Sequence, residues 1–165
     1  MATTNLNVSS PSNFVSLLIS ASTSSLATIG SWTSTTTNVI AIPALQDITY
    51  TNSNGTFRWV QLDQTSRYVV TTPATNSLNF NIVLDDASFF TTSVGGSNSS
   101  KGLLGLSNNK DRVYFQFNWG GGTSVAHVTT GSGFLASLAP KVNPDQPVWL
   151  SPLVIEVDGN FNQVS

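Results

Sequence analysis

The sequence predicts a mostly β domain: a β-sandwich or barrel of about seven to nine strands, with one short α-helix packed on it at about residues 99–108. Three observations point there. Apolar residues recur with period two in Leu78, Phe80, Ile82, Leu84 and again in Val113, Phe115, Phe117, Trp119, the alternation of a strand with one face on a core. Such runs are short and are separated by turn-forming clusters such as Gly120-Gly121-Gly122 and Asp158-Gly159, which punctuate strands. Only around Leu103, Leu104 and Leu106 does the spacing become helical.

The elements follow in chain order. Residues 1–12 are small and polar and read as a flexible N-terminal arm, leaving 13–165 as one domain. Asn13–Ser20 is the first expected strand; a Ser/Thr-rich link leads to a second at Asn38–Ala41, ended by Pro43. A long hairpin is expected at 50–72, with Thr56–Leu62 and Arg67–Thr71 joined across Asp63-Gln64-Thr65-Ser66. Leu78–Leu84 is a strand that Asp85-Asp86 ends, with Asp86 placed to cap a turn from Ala87. The helix begins at Ser99 or Ser100, whose hydroxyl can accept a first-turn N–H. Asn108-Asn109 ends it, since Asn tolerates the left-handed conformation. Arg112–Trp119 is the clearest strand, and the glycine triplet turns it into Thr123–Thr130. Gly131-Ser132-Gly133 is expected to break that strand before Phe134–Leu138. Pro140, Pro144 and Pro147 are expected to hold Lys141–Gln146 outside any ladder. Val148–Val157 is the last strand, and Pro152 within it implies a bulge or an edge position.

Composition bounds the function. Of 165 residues only 8% are charged, about a third of the usual share. Ser, Thr and Asn fill the polar positions, as on the solvated faces of a β protein. Charge depletion is also what a surface covered by copies of the same chain would show. Six Lys+Arg against eight Asp+Glu cannot neutralise a phosphate track, so specific nucleic-acid binding is not expected. No cysteine is present, which removes disulfides and thiolate metal sites. The apolar run Phe14–Ile19 has no preceding Lys or Arg, the first basic residue being Arg58, so no export signal is expected. No run approaches the roughly 18 apolar residues of a membrane-spanning helix. The triplets at Asn7, Asn54 and Asn98 match a glycosylation pattern that an Asn/Ser/Thr-rich chain produces by chance.

Catalytic constellations are not found. His127 is the one histidine, so neither a histidine metal triad nor a Ser-His-Asp site with a Gly-x-Ser-x-Gly elbow can be built. Asp85-Asp86 is read as turn chemistry, not as a calcium site. Gly95–Gly102 lacks the Gly-Lys-Ser/Thr ending of a phosphate loop. Glu156 and Asp158 share a strand face, but nothing places an opposed carboxylate for glycoside hydrolysis. No enzyme activity and no cofactor are expected.

The run Ser100-Lys101-Gly102-Leu103-Leu104-Gly105-Leu106-Ser107-Asn108-Asn109-Lys110-Asp111-Arg112-Val113-Tyr114-Phe115-Gln116-Phe117 resembles the helix-turn-strand at the centre of the major tail tube proteins of long-tailed bacteriophages. Gly133-Phe134-Leu135-Ala136-Ser137-Leu138 is similar to that family's glycine-led apolar strand. Val154-Ile155-Glu156-Val157-Asp158-Gly159 is similar to its closing strand. The likeness spans roughly Leu78 to Asn160, as a pattern rather than an identity. It implies a structural virion protein, made in the host cytoplasm and located in the tail. Hexameric rings of it would stack into a hollow tube that conducts DNA at genome ejection without binding it specifically. The implied partners are further copies and other tail proteins: tape measure, baseplate, terminator, and a sheath where the tail contracts.

A tube subunit must join sheets laterally and stack head to tail. The arm and the hairpin are the segments available for this. Phe57, Trp59, Val60, Leu62, Tyr68 and Val69, with Val70, give the hairpin more apolar surface than a free ribbon should show; they are the expected assembly interface, against the alternative that the ribbon folds onto its own core. Two other readings share the composition: a carbohydrate-binding lectin or adhesin sandwich, with some of Trp32, Trp59, Trp119 and Trp149 exposed as sugar platforms, and a small viral capsid or decoration protein.

Overall fold

The computed structural model describes residues 15–42, 45–60, 67–96, 101–119 and 127–164. The expected arm, the serines proposed as the helix cap, Leu62, the 63–66 turn and the glycine triplet lie outside these. The described strands are β1 (Ser16–Ser20), β2 (Ile40–Ile42), β3 (Leu45–Val60), β4 (Arg67–Val83), β5 (Arg112–Asn118), β6 (Val128–Leu138), β7 (Lys141–Asn143), β8 (Gln146–Val157) and β9 (Asn162–Val164), with one α-helix, α1 (Gly102–Asn109). They form one antiparallel sheet in the order β2-β1-β5-β6-β8-β4-β3, to which β7 adds on β8 and β9 on β6.

The sheet curls over its own core. Rings of Phe80 on β4 and Phe117 on β5 lie 6.1 Å apart, although β6 and β8 separate those strands in the sheet order. Leu17, Ile19, Leu78, Ile82, Phe115, Leu153 and Ile155, all at most 1% exposed, fill the space between the halves together with Leu103 and Leu106 of α1. β6 belongs to both halves: Val128–Phe134 pairs with β5, Gly133–Leu138 with β8, and a bulge at Leu135/Ser137 lets it turn between them. The outer face of β1 and β5 has a smaller cluster of its own. The 3-10 turn Thr23–Thr28 and the loop after it lay Trp32 and Val39 over Leu18.

Several expectations are corrected. Gly131 and Gly133 do not break a strand; they lie inside β6 because a side chain would collide with the Phe115 ring at Gly131 and with the Glu156 carbonyl at Gly133. The prolines do not exclude Lys141–Gln146 from the ladder, because β7 pairs with β8 across a turn at Pro144-Asp145. Pro152 falls between the part of β8 that pairs with β7 and the part that pairs with β6, where a lost N–H is tolerated. α1 starts at Gly102, whose φ of 62° would strain any side chain, and Lys101 precedes it without a side-chain cap. Lys110, not Asn108 or Asn109, takes the left-handed conformation at its end. Asp85, not Asp86, holds the turn at Ala87–Thr91, a π-helical turn in which its carboxylate accepts from the Ser88 N–H and hydroxyl. β9 had no signal: three residues with exposed side chains, placed by pairing alone.

Candidate assembly surface

β3 and β4 form a ribbon longer than the rest of the sheet needs. From Leu45 to Asn52 it belongs to the sandwich, since β4 there pairs on its other side with β8. From Gly55 to Val60, against Arg67 to Thr72, it has no described strand beside it. Residues directly opposite share a face. One face of this free portion carries Phe57 opposite Val70 and Trp59 opposite Tyr68; the other carries Arg58 opposite Val69 and Val60 opposite Arg67.

A bulge decides which chemistry goes where. Ser53 pairs with Thr75 but Gly55 with Thr72, so β4 holds one extra residue beside Pro73. Along β3 the core-facing positions Ile48 and Tyr50 continue in phase to Arg58 and Val60. Phe57 and Trp59 therefore lie on the outward, otherwise polar face that also carries Thr49 and Thr51. The aromatic side chains order one another. Phe57 and Trp59 stack at 5.8 Å between centroids and Trp59 and Tyr68 at 5.5 Å, yet Phe57 remains 59% exposed, Val69 55% and Val60 54%. The expected interface residues Phe57, Trp59, Val60, Tyr68 and Val69 are thus brought together on the two faces of one exposed ribbon. Leu62 falls outside the described residues.

The outer edge of β3 is the second part of the surface. β3 ends the sheet order and pairs only with β4, so a 16-residue strand presents its outer backbone groups without a described partner. Its described charges are Asp47 and Arg58, little of the charge that usually guards an edge.

A third feature escaped sequence reasoning. Beyond the far end of β4, a groove of about 530 Å³ opens between the π-turn and α1 on one side and the β7–β8 hairpin on the other. Leu84, Phe89, Phe90, Leu104, Pro140 and Trp149 line it, and Asp85 and Asp86 stand beside them. Phe90 (53%) and Trp149 (54%) are exposed. The Leu84 N–H donates to the Trp149 carbonyl at 2.9 Å, tying the groove to the strand end. Leu104 is the one leucine of the helix that faces away from the core, a signal open to sequence reading; Trp149 and Phe90 carried none in their local patterns.

The remaining candidates are structural. His127 is exposed, and its carbonyl accepts the Trp119 N–H at 2.9 Å. Tyr50 packs on Phe161 (4.2 Å) and Trp119 (5.0 Å), and burial raises its phenol above the ordinary 10.0. Of the four tryptophans, Trp32 is buried and Trp119 half-buried, whereas Trp59 and Trp149 are exposed, one at each end of β4. Among the described residues no three His, Asp or Glu side chains are grouped to hold a metal ion.

At the level of sequence, no family model and no curated protein matches. Solved structures do. The SPP1 tail tube protein superposes with a TM-score of 0.59 at 10% identity, over 93% of this chain and 77% of that one. A chain of the native gene transfer agent virion gives 0.56 at 11%, over 77% and 89%. The sheath/tube terminator of an extracellular contractile injection system gives 0.53 at 8%, over 90% and 93%. The chain has the tail-tube fold. Within the tail-tube fold the likeness extends to most of the chain, more than the Leu78–Asn160 stretch that carries the resemblance in sequence. A further neighbour is a chain from the tail of the empty gene transfer agent particle, a structure with C6 symmetry.

Proposed function

We propose that this protein is a structural subunit of a phage-type tail tube in the virion, in which copies close laterally into hexameric rings and the rings stack into a hollow conduit for DNA. The observation that carries the reading is the 16-residue outer edge of β3, which has no described partner strand and is continuous with an exposed aromatic ribbon. An unpaired edge of that length calls for another strand, and ring closure removes it. The six-fold symmetry of the gene transfer agent tail supports six as the ring number. Contacts at the ends of the tube with tape measure, baseplate and terminator proteins, and with a sheath in a contractile tail, follow from the same reading. A net charge of −2 is compatible with a lumen that lets DNA slide.

Negative-stain electron microscopy of purified protein tests this. Rings or tubes with a central channel are expected; compact monodisperse trimers would refute it. The second test uses the ribbon. Replacing residues 56–71 by a short glycine linker removes the exposed side chains of Thr56–Val60 and Arg67–Thr71 and leaves Tyr50 on its core contacts. The variant should stay folded and lose polymerisation, and a variant that still forms tubes would show that the ribbon is dispensable.

A further inference from the structure

Asn54-Gly55 is the one Asn-Gly pair of the chain, and the fold leaves it where the sheet stops supporting the ribbon. The last rung with three strands joins Asn52, Asn76 and Val157. Just beyond it the Ser53 N–H donates to the Asn76 side chain at 3.2 Å, and that amide donates to the Gly159 carbonyl at 2.7 Å. Asn54 comes next, exposed and without a cross-strand partner. Ser53 stands opposite Thr75 and Gly55 opposite Thr72, so Pro73-Ala74 lie across from Asn54. Pro73 has no N–H to give, and a bulge disrupts the ladder around it. From Gly55 outward the two strands have no described third strand, and a two-stranded ribbon alone is marginally stable in water. Such a segment opens locally at little cost in free energy.

We infer that Asn54-Gly55 is a spontaneous modification site, at which the unassembled subunit converts Asn54 to aspartate and isoaspartate. In the open ribbon hydroxide removes the Gly55 N–H proton, and the nitrogen attacks the Asn54 side-chain carbonyl carbon. That N–C bond forms, the bond to the side-chain NH2 breaks, ammonia leaves, and a five-membered succinimide closes. Water then opens the ring at either carbonyl, so Asn and one water become ammonia and either Asp or isoaspartate. Glycine hinders the attack least, having no Cβ. It is required at 55 for a separate reason: a Cβ there would strike the Thr72 hydroxyl oxygen. The extended, paired backbone holds the Gly55 nitrogen away from its target, so conversion runs through the open form. A neighbouring strand along β3 would suppress that form, a step that rests on the tail-tube reading. Conversion thus marks subunits that stay unassembled. Aspartate adds one negative charge to a chain of net charge −2. Isoaspartate adds a backbone carbon, which breaks the period-two alternation and carries Phe57 and Trp59 out of register with Val70 and Tyr68.

The test incubates the full chain at mildly alkaline pH, beside a synthetic peptide of residues 51–58. Free subunits are separated from tubes by sedimentation, and proteolytic fragments of each are weighed by mass spectrometry. The fragment spanning 54–55 from free subunits should gain the mass by which OH exceeds NH2. Its rate should fall within about a hundredfold of the peptide's, as frequent local opening requires. A slower rate, as in a strand that opens only with the whole molecule, would overturn the inference. Asn54→Gln keeps an exposed amide but would need a six-membered ring, and it should abolish the conversion; an undiminished gain in that variant would also overturn it. The Asp158-Gly159 pair can isomerise but loses no ammonia, so mass tells the two apart. In tubes the conversion should be at least about tenfold slower than in free subunits. Equal rates in the two fractions would overturn the protection by assembly, whereas a wild type without rings or tubes would overturn the tail-tube reading and leave the modification site standing.

Discussion

Gln116 shows how much one side chain can organise. It is 2% exposed, on the face of β5 away from the main core. Its Oε1 accepts the backbone N–H groups of Gly30 and Trp32, both at 2.9 Å, and its Nε2 donates to the Trp32 carbonyl at 3.2 Å. With the Trp32 indole N–H bonded to the Ser25 carbonyl at 2.8 Å, it anchors the loop over Leu18. Gln116→Leu is expected to cost about 2–4 kcal/mol in urea unfolding, since buried backbone groups would lose their partner. In the sequence Gln116 reads as an outward residue of an alternating strand, and the period is right. What local pattern could not tell was that a Ser/Thr-rich link, itself without periodicity, covers that outward face. Tyr50 gives a pH prediction. Its phenol titrates higher in the folded than in the unfolded chain, because burial disfavours the anion. Its neutral form is fully accommodated below pH 10, and stability falls as the pH rises from the unfolded value through the raised folded one. Tyr50→Phe should flatten that alkaline loss in denaturant titrations at a series of pH values.

At the scale of elements, α1 presents two unlike faces. Leu103 and Leu106 are buried in the main core, whereas Leu104 lines the groove. Leu106→Ala is expected to cost about 2–5 kcal/mol of folding stability. Leu104→Ala should change folding by roughly 0.5 kcal/mol or less, so calorimetry separates the two. The helix was legible because three leucines depart from period two. Its ends were not, because they depend on partners distant in sequence: Gly102 is required where the backbone passes the Phe89 carbonyl. The same reason hid the continuity of β6. A glycine read locally is a breaker; under the Phe115 ring or the Glu156 carbonyl it is the one residue that fits. Gly133→Ala should therefore destabilise by about 1–3 kcal/mol, measurable as a lowered urea midpoint.

For the whole molecule, the strands at Leu78–Val83 and Arg112–Asn118 and the helix between them were readable because each carries its own period, whereas β7 and β9 were not, because pairing places them. The ribbon's apolar surplus was also readable, as was its unsuitability for water. The groove was not. It is assembled from Leu84, the π-turn, α1 and Trp149, four places spread over more than sixty residues, and only the curl of the sheet gathers them. The extra residue beside Pro73 has a consequence for how this chain can change. It brings Tyr68 of β4 to the side of Trp59 and Arg67 to the side of Arg58. Removing a single residue between Thr72 and Thr75 would exchange the sides presented by Tyr68 and Arg67 and disrupt their pairing with β3. An indel there exchanges every side chain that the β4 half of the free ribbon presents, a route by which one mutation could change the partner a subunit accepts.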